Sequence, residues 1–290
     1  EINKNNRFNI VRKFNNDHKY EVDFFVTCGD IKISFDNNIL EKFHSLNSFN
    51  KPRLIRDVTY LRIIPKIKNL EVNSFPRFTW NSILPDNSNF PYDQSYNRWL
   101  DLKKKYNLVV KDYQKQGDNI LLLMQIPTDA SLNILNFKED GYLNFLIRTI
   151  KGIFKYSDRK IILRCHPNLR KNDVLSNLLM KYFNKTEKLF LSNNERLEDD
   201  LKNIKCVVSY NSSATVEALF NGINVINLSK MQPCFSAASN KLSDIENLVD
   251  LNRDDFLKKI AFLHWENTEL ESNEVKQYLC KLLEISKPNL

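Results

Sequence analysis

At 290 residues, with 42% hydrophobic and 11% aromatic content, the chain exceeds the usual single-core size and can bury a sizeable core. It reads as two medium domains, and disorder is excluded. The 43 Lys and Arg against 35 Asp and Glu leave a formal charge of +8, which suits an anionic partner such as a nucleotide, an anionic leaflet or a nucleic acid, and suits a merely soluble basic surface equally well.

Cys28, Cys165, Cys206, Cys234 and Cys280 are odd in number and widely spaced, without a C-x-x-C pair, so neither a disulfide framework nor a zinc site is expected and a reducing cytoplasm fits. No run approaches the ~18 apolar residues that a membrane span needs. The opening Glu1-Ile2-Asn3-Lys4 lacks an initiator Met and a signal-peptide h-region, which points to a piece excised from a longer protein.

In chain order, short strand-like runs come first: Val22 to Val26, Ile31 to Phe35 and Arg53 to Ile64. Phe75 to Tyr96, rich in Pro, Asn and Asp, reads as an irregular loop. A helical pattern from Tyr96 to Tyr106 leads to the turn Lys115-Gln116-Gly117-Asp118, the expected domain boundary. The division is 1–116, 117–270, and a last helix over 271–290 that packs back across the junction.

Beyond the turn, strand and helix patterns alternate: Asn119 to Gln125, Tyr142 to Phe154, Lys160 to Cys165, Asp173 to Phe183, Leu189 to Ser192, Leu197 to Ile204, Cys206 to Ser209, Ala214 to Phe220 and Asn224 to Leu228. That periodicity predicts an α/β fold with a parallel sheet covered on both faces. Asp254 to Ile285 reads as two helices. Ligands of such sheets bind outside the carboxyl ends of the strands, so the residues that follow each strand are the candidates for chemistry.

Three strand ends qualify. After Gln125 the turn Ile126-Pro127-Thr128-Asp129-Ala130-Ser131 offers Asp129 and Ser131 as helix caps, or Asp129 as a catalytic carboxylate facing a cleft. Arg164-Cys165-His166-Pro167 ends a buried strand, with Pro167 fixing the turn. His166, beside Arg164, is either structural or placed to donate to a phosphate or leaving-group oxygen. In Ser209-Tyr210-Asn211-Ser212-Ser213 the paired serines open a helix, where backbone N–H groups favour an anion. Glu217, one turn along, is either a capping partner or within reach of ribose hydroxyls. The G-x-G-x-x-G and P-loop patterns are both lacking, and His264 stands apart from any ligand-spaced partner.

Together, Gln125 to Ser131, His166-Pro167, and Ser212-Ser213 with Glu217-Ala218-Leu219 resemble the retaining β-Kdo transferases of capsule and O-antigen synthesis, the capsule polysaccharide biosynthesis family. Paired His-Pro and Ser-Ser motifs also recur in bacterial sialyltransferases of GT-B fold. The resemblance spans about residues 119 to 230. Upstream, Asp57-Val58-Thr59-Tyr60-Leu61-Arg62 is similar to the family's acidic-Gly-aromatic-Leu-Arg segment, with Val58 in place of the Gly.

The resemblance implies a GT-B enzyme of two Rossmann-like domains, with the nucleotide sugar in the cleft between them. It implies CMP-Kdo as donor, a glycan or glycolipid as acceptor, peripheral contact with the inner membrane from the cytoplasm, and no cofactor, metal or nucleic acid. Carried over, Asp129 is the nucleophile and His166 a contact to the CMP phosphate. Gln125, Ser131, Arg164, Pro167, Asn211, Ser212, Ser213 and Glu217 form the donor site, and Asp57 and Arg62 fall on the acceptor side. Other nucleotide sugars (CMP-sialic acid, UDP- or GDP-sugars) and a non-catalytic glycan-binding module remain open. The stretch Asn240 to Asn247 reads as a loop returning to the nucleotide, with Lys230 and Arg253 as further cations.

Overall fold

The computed structural model describes residues 25–28, 53–57, 59–70, 75–80, 98–127, 132, 139–169, 174–229, 234–266, 268–269 and 272. Among them are a small sheet and a large one. The small sheet has β1 (Phe25–Cys28) parallel to β2 (Arg53–Asp57), with β3 (Arg77–Trp80) antiparallel on the other side of β2. The large sheet comprises β4 (Asn119–Leu123), β5 (Lys160–Arg164), β6 (Leu189–Leu191), β7 (Ile204–Ser209) and β8 (Asn224–Asn227).

All five strands of the large sheet run parallel, in the order β6-β5-β4-β7-β8. The chain steps outward from β4 in one direction and then returns to build the other side. This is a Rossmann-like sheet with its reversal point between β4 and β7. The near-continuous apolar strands follow from burial on both faces. Leu121 and Leu123 of β4 join one core with Val207 and Phe220, while Ile120, Leu122 and Met124 join a second with Tyr142, Ile150 and Leu179.

Seven helices are described in chain order: α1 (Ile63–Lys68), α2 (Arg98–Tyr106), α3 (Glu139–Tyr156), α4 (Val174–Tyr182), α5 (Leu197–Asp200), α6 (Ala214–Phe220) and α7 (Arg253–Phe262). None of the described helices is long and apolar enough to cross a membrane. The first core also takes in Leu61, Ile64, Phe75, Trp99 and Leu102, so α1 and α2 pack against the same sheet face as α6 and α7.

Glycine appears where backbones touch. A Cβ at Gly117 would lie 2.4 Å from Ile204 C, and at Gly222 (φ +73°) it would lie 1.9 Å from the Asp112 carbonyl oxygen. Two expectations change. The run Arg53 to Ile64 is split into strand and helix, because Pro65 sits in the first turn of α1, where its missing N–H costs nothing. The stretch read as an irregular loop contains β3, held to the C-terminal segment by Phe78 N–H donating to Leu263 O and Trp265 N–H donating to Pro76 O at 3.3 Å. Ile31 to Phe35 and the second tail helix lie outside the described residues.

Candidate functional site

The reversal point opens into a cleft of about 1140 Å³. On one side it is lined by the segments leaving β4, β5 and β7, and on the other by the strip from Tyr60 to Leu70 together with Arg77. Of the candidate residues, Gln125, Arg164, His166, Pro167, Asn211, Ser212, Ser213, Glu217 and Arg62 all line it. Asp129 and Ser131 lie outside the described residues, as does Lys230. Asp57 closes β2 opposite Arg77, and its side chain is not among those described.

The strand ends are held by polar bonds. The Gln125 side chain spans the reversal point: its amide donates to Asn211 Oδ1, and Asn211 N–H donates to Gln125 Oε1. Tyr142 of α3 accepts the Gln125 N–H at 2.9 Å. Ser209 Oγ accepts the Ser212 N–H at 3.1 Å, and Ser212 Oγ accepts the Ala214 N–H at 3.3 Å. Two serine hydroxyls, those of Ser209 and Ser212, are therefore used to shape the turn. Ser213, at the cap position of α6, makes no side-chain cap bond. Because α6 has only seven residues, its dipole is short, and the anion-binding capacity of the turn rests on its hydroxyls and N–H groups.

His166 is half-buried, and its Nδ1 accepts the Asn168 N–H at 3.3 Å. A neutral ring therefore carries its proton on Nε2 as a donor. Arg164 differs from the expectation of a cation beside it. Its guanidinium pairs with the buried Asp200 and donates to the carbonyls of Asn194 and Glu195, each at 3.0 Å. Its bonding thus pins the β6–α5 loop, whose Glu195 and Arg196 line the cleft together with Leu197 and Glu198 at the start of α5.

Glu217 is buried and faces the opposite wall, where its carboxylate pairs with Lys66 of α1. Lys66 also reaches Glu198 at 3.3 Å. Arg62 lies one turn before it, with an Nε that is shielded from solvent and has no hydrogen-bond partner among the described residues. Sequence reasoning missed Lys66, Arg77 and Arg196 as cleft cations. The signal for Lys66 was Pro65, a helix start overlooked inside an apolar run.

The strip bearing Arg62 and Lys66 is anchored from behind by His264. Tyr60 N–H donates to its Nε2 at 2.9 Å, while Nδ1 faces Ile260 O at 2.6 Å. Burial, assisted by Arg77 and Arg98, pushes its pKa down to about 3 despite the Ile260 bond, so the ring is neutral. Arg77 stacks on Tyr60 with 4.1 Å from guanidinium to ring centroid.

Two further sequence readings are corrected. Arg253 donates to Leu219 O and Lys111 O and covers Tyr113, away from the cleft. Within Asn240 to Asn247, Glu246 bonds Ser157 and Arg159, which precede β5, so this loop seals the amino end of the sheet. Leu242 and Ile245 pack into the second core and Asp244 accepts from Ser239, and none of these residues lines the cleft. Cys206 is buried, which raises its thiol pKa to about 12 and leaves it inert.

The sheet order, with polar strand ends meeting at its reversal point, defines an α/β protein with a Rossmann-like binding crevice. No family model matches the chain, and no curated protein matches it in sequence. In fold it is similar to KpsC of Thermosulfurimonas dismutans, a beta Kdo 2,7 transferase, with a TM-score of 0.51 over 89% of this chain and 85% of that one at 13% identity. A beta Kdo 2,4 transferase, also KpsC of that organism, gives 0.47 over 89% and 86% at 13% identity. At such identity the first likeness is one of fold.

Proposed function

We propose that this chain is a GT-B-type glycosyltransferase that moves Kdo from CMP-Kdo to a glycan or glycolipid acceptor in bacterial surface polysaccharide synthesis, with retention of configuration. The carrying observation is the convergence of His166, Asn211, Ser213 and Glu217 on one cleft at the sheet's reversal point, faced by Arg62 and Lys66. In this reading residues 117–270 hold the donor and residues 1–116 the acceptor. His166 Nε2–H and the Ser213 hydroxyl take the CMP phosphate, a monophosphate leaving group whose charge such donors stabilise. The Glu217 oxygen not paired with Lys66 accepts from the ribose.

Asp129, four positions past Gln125, attacks the anomeric carbon as CMP departs. The acceptor hydroxyl then displaces the carboxylate, so two inversions give net retention. Melting temperature with CMP, UDP and GDP tests the donor, since a ligand bound only by the folded state raises it. A shift with UDP or GDP and none with CMP would overturn the donor assignment. Full transfer by Asp129→Asn would remove Asp129 as nucleophile, and a parent chain that binds glycan without transferring sugar would replace the enzyme by a binding module.

A further inference from the structure

Helices α3 and α4 lie side by side on one face of the large sheet, where Tyr142, Ile150 and Leu179 share a core. Their outward faces are unusual in combination. On α3 the exposed positions Arg148, Lys151 and Lys155 form a basic stripe at helical spacing. On α4 the outward stripe is apolar: Val174, Leu178 and Tyr182, spaced four apart, are 68%, 45% and 52% exposed. The stripes touch, since Lys151 Nζ donates to the Tyr182 hydroxyl at 2.8 Å and stands 5.1 Å from its ring centroid. Lys181 and Lys185 flank the apolar stripe. Tyr156, 42% exposed, lies beneath Lys155, which is 5.2 Å from its ring centroid.

The ion pairs nearby, Arg159 with Glu246 and Lys188 with Asp158, involve other cations. Among the described residues, no carboxylate pairs with Arg148, Lys151, Lys155, Lys181 or Lys185.

We propose that the α3–α4 face docks on a leaflet of anionic lipid. Apolar and tyrosyl groups ringed by lysines match such a surface twice over. The side chains on α4 enter the acyl boundary, while lysine stems lie along it with their ammonium groups at the phosphates. A nucleic acid would account for the charge but leave the apolar stripe in water. Val174 follows seven positions after Pro167 at the cleft. A leaflet on this face therefore lies beside the cleft rim and presents a lipid-linked acceptor to it. That last consequence rests on the transferase reading, whereas the docking does not.

Co-sedimentation of the whole chain with vesicles tests the surface, comparing phosphatidylcholine alone with equal parts of phosphatidylcholine and phosphatidylglycerol. Binding to the anionic vesicles only, weakened by salt, is expected. Each of Lys155→Gln and Lys181→Gln should weaken it roughly five-fold. Leu178→Ser should weaken it further while leaving its salt dependence in place. The melting temperature of each variant and its shift by CMP should match the parent, which separates a failed surface from a failed donor site. Absence of binding to anionic vesicles, equal binding to neutral ones, or variants that bind like the parent would overturn the proposal. So would self-association that Leu178→Ser abolishes without any vesicle binding, which would assign the face to a second copy.

Discussion

His264 provides the sharpest test of how this fold is held. Its ring is fully buried, accepts from Tyr60 N–H and faces the Ile260 carbonyl, and burial lowers its pKa from 6.5 to about 3. Between those values the unfolded chain binds a proton there that the folded chain refuses, so acid favours unfolding. The contribution is complete above 6.5 and drains as pH falls toward 3. The slope is on the order of 1 kcal/mol per pH unit, or roughly 2 kcal/mol by about pH 5. His264→Gln keeps a donor and an acceptor but does not titrate. It should be less stable than the parent by about 1–3 kcal/mol near neutrality, through imperfect bonds and the lost stacking on Phe75, whose ring centroid is 5.8 Å away. Urea midpoints of both proteins at about pH 7.5, 6 and 5 give the difference, in which all other titrations cancel. The gap should narrow by roughly 2 kcal/mol across that range. A constant gap would refute a neutral, buried His264.

Asp200→Asn leaves the buried Arg164 guanidinium without its countercharge and should cost about 3–5 kcal/mol in urea unfolding; a loss under about 1 kcal/mol would contradict the buried pair. Gly222→Ala forces a Cβ onto the Asp112 carbonyl at positive φ and should lower stability by more than about 1 kcal/mol, whereas an unchanged midpoint would mean that the 107–116 segment packs elsewhere. Lys66→Met should cost about 1 kcal/mol, since Lys66 is 46% exposed and its pairing is screened, and adding Glu217→Gln should recover most of it. Additive losses in that double-mutant cycle would mean that the two side chains do not pair in solution.

The large sheet was readable because its strands are buried on both faces, so runs such as Leu121-Leu122-Leu123 and Val207-Val208 stand out locally. Ala214–Phe220 appears with the predicted bounds because the hydroxyl-rich turn and Gly222 punctuate it. The small sheet was less legible: β3 is four residues long and is stabilised by β2 and Leu263, partners that no local pattern reveals. In the site, the strand ends gave away Gln125, His166 and Ser212-Ser213, since strand polarity alone predicts which end carries polar groups. The bonding of Arg164 was hidden for the opposite reason. Its partner Asp200 is 36 positions away, and only tertiary packing decides that the guanidinium turns toward the β6–α5 loop and not toward His166.

The two walls of the cleft differ in what positions them. The wall on the side of the large sheet is set by its strands: the segments leaving β4, β5 and β7 each continue a hydrogen-bonded strand, and Met124 N–H donates to Arg164 O at 2.9 Å just past the end of β4. The facing strip from Tyr60 to Leu70 follows β2 of the small sheet in the chain, and side-chain bonds hold it on both sides. Behind it, Tyr60 is bonded to His264 next to α7; in front, Lys66 is bonded to Glu217 and Glu198; between them, Leu61 and Ile64 are fully buried. Loosening one of these contacts is expected to shift the strip more than the strand ends, which the hydrogen bonds of the sheet hold directly. Loosening the rear tether by His264→Gln should therefore alter the spacing between Arg62 and the strand-end residues Gln125, His166 and Asn211 more than the arrangement of those three; a crystal structure of the variant with the Arg62-to-His166 spacing unchanged would refute this.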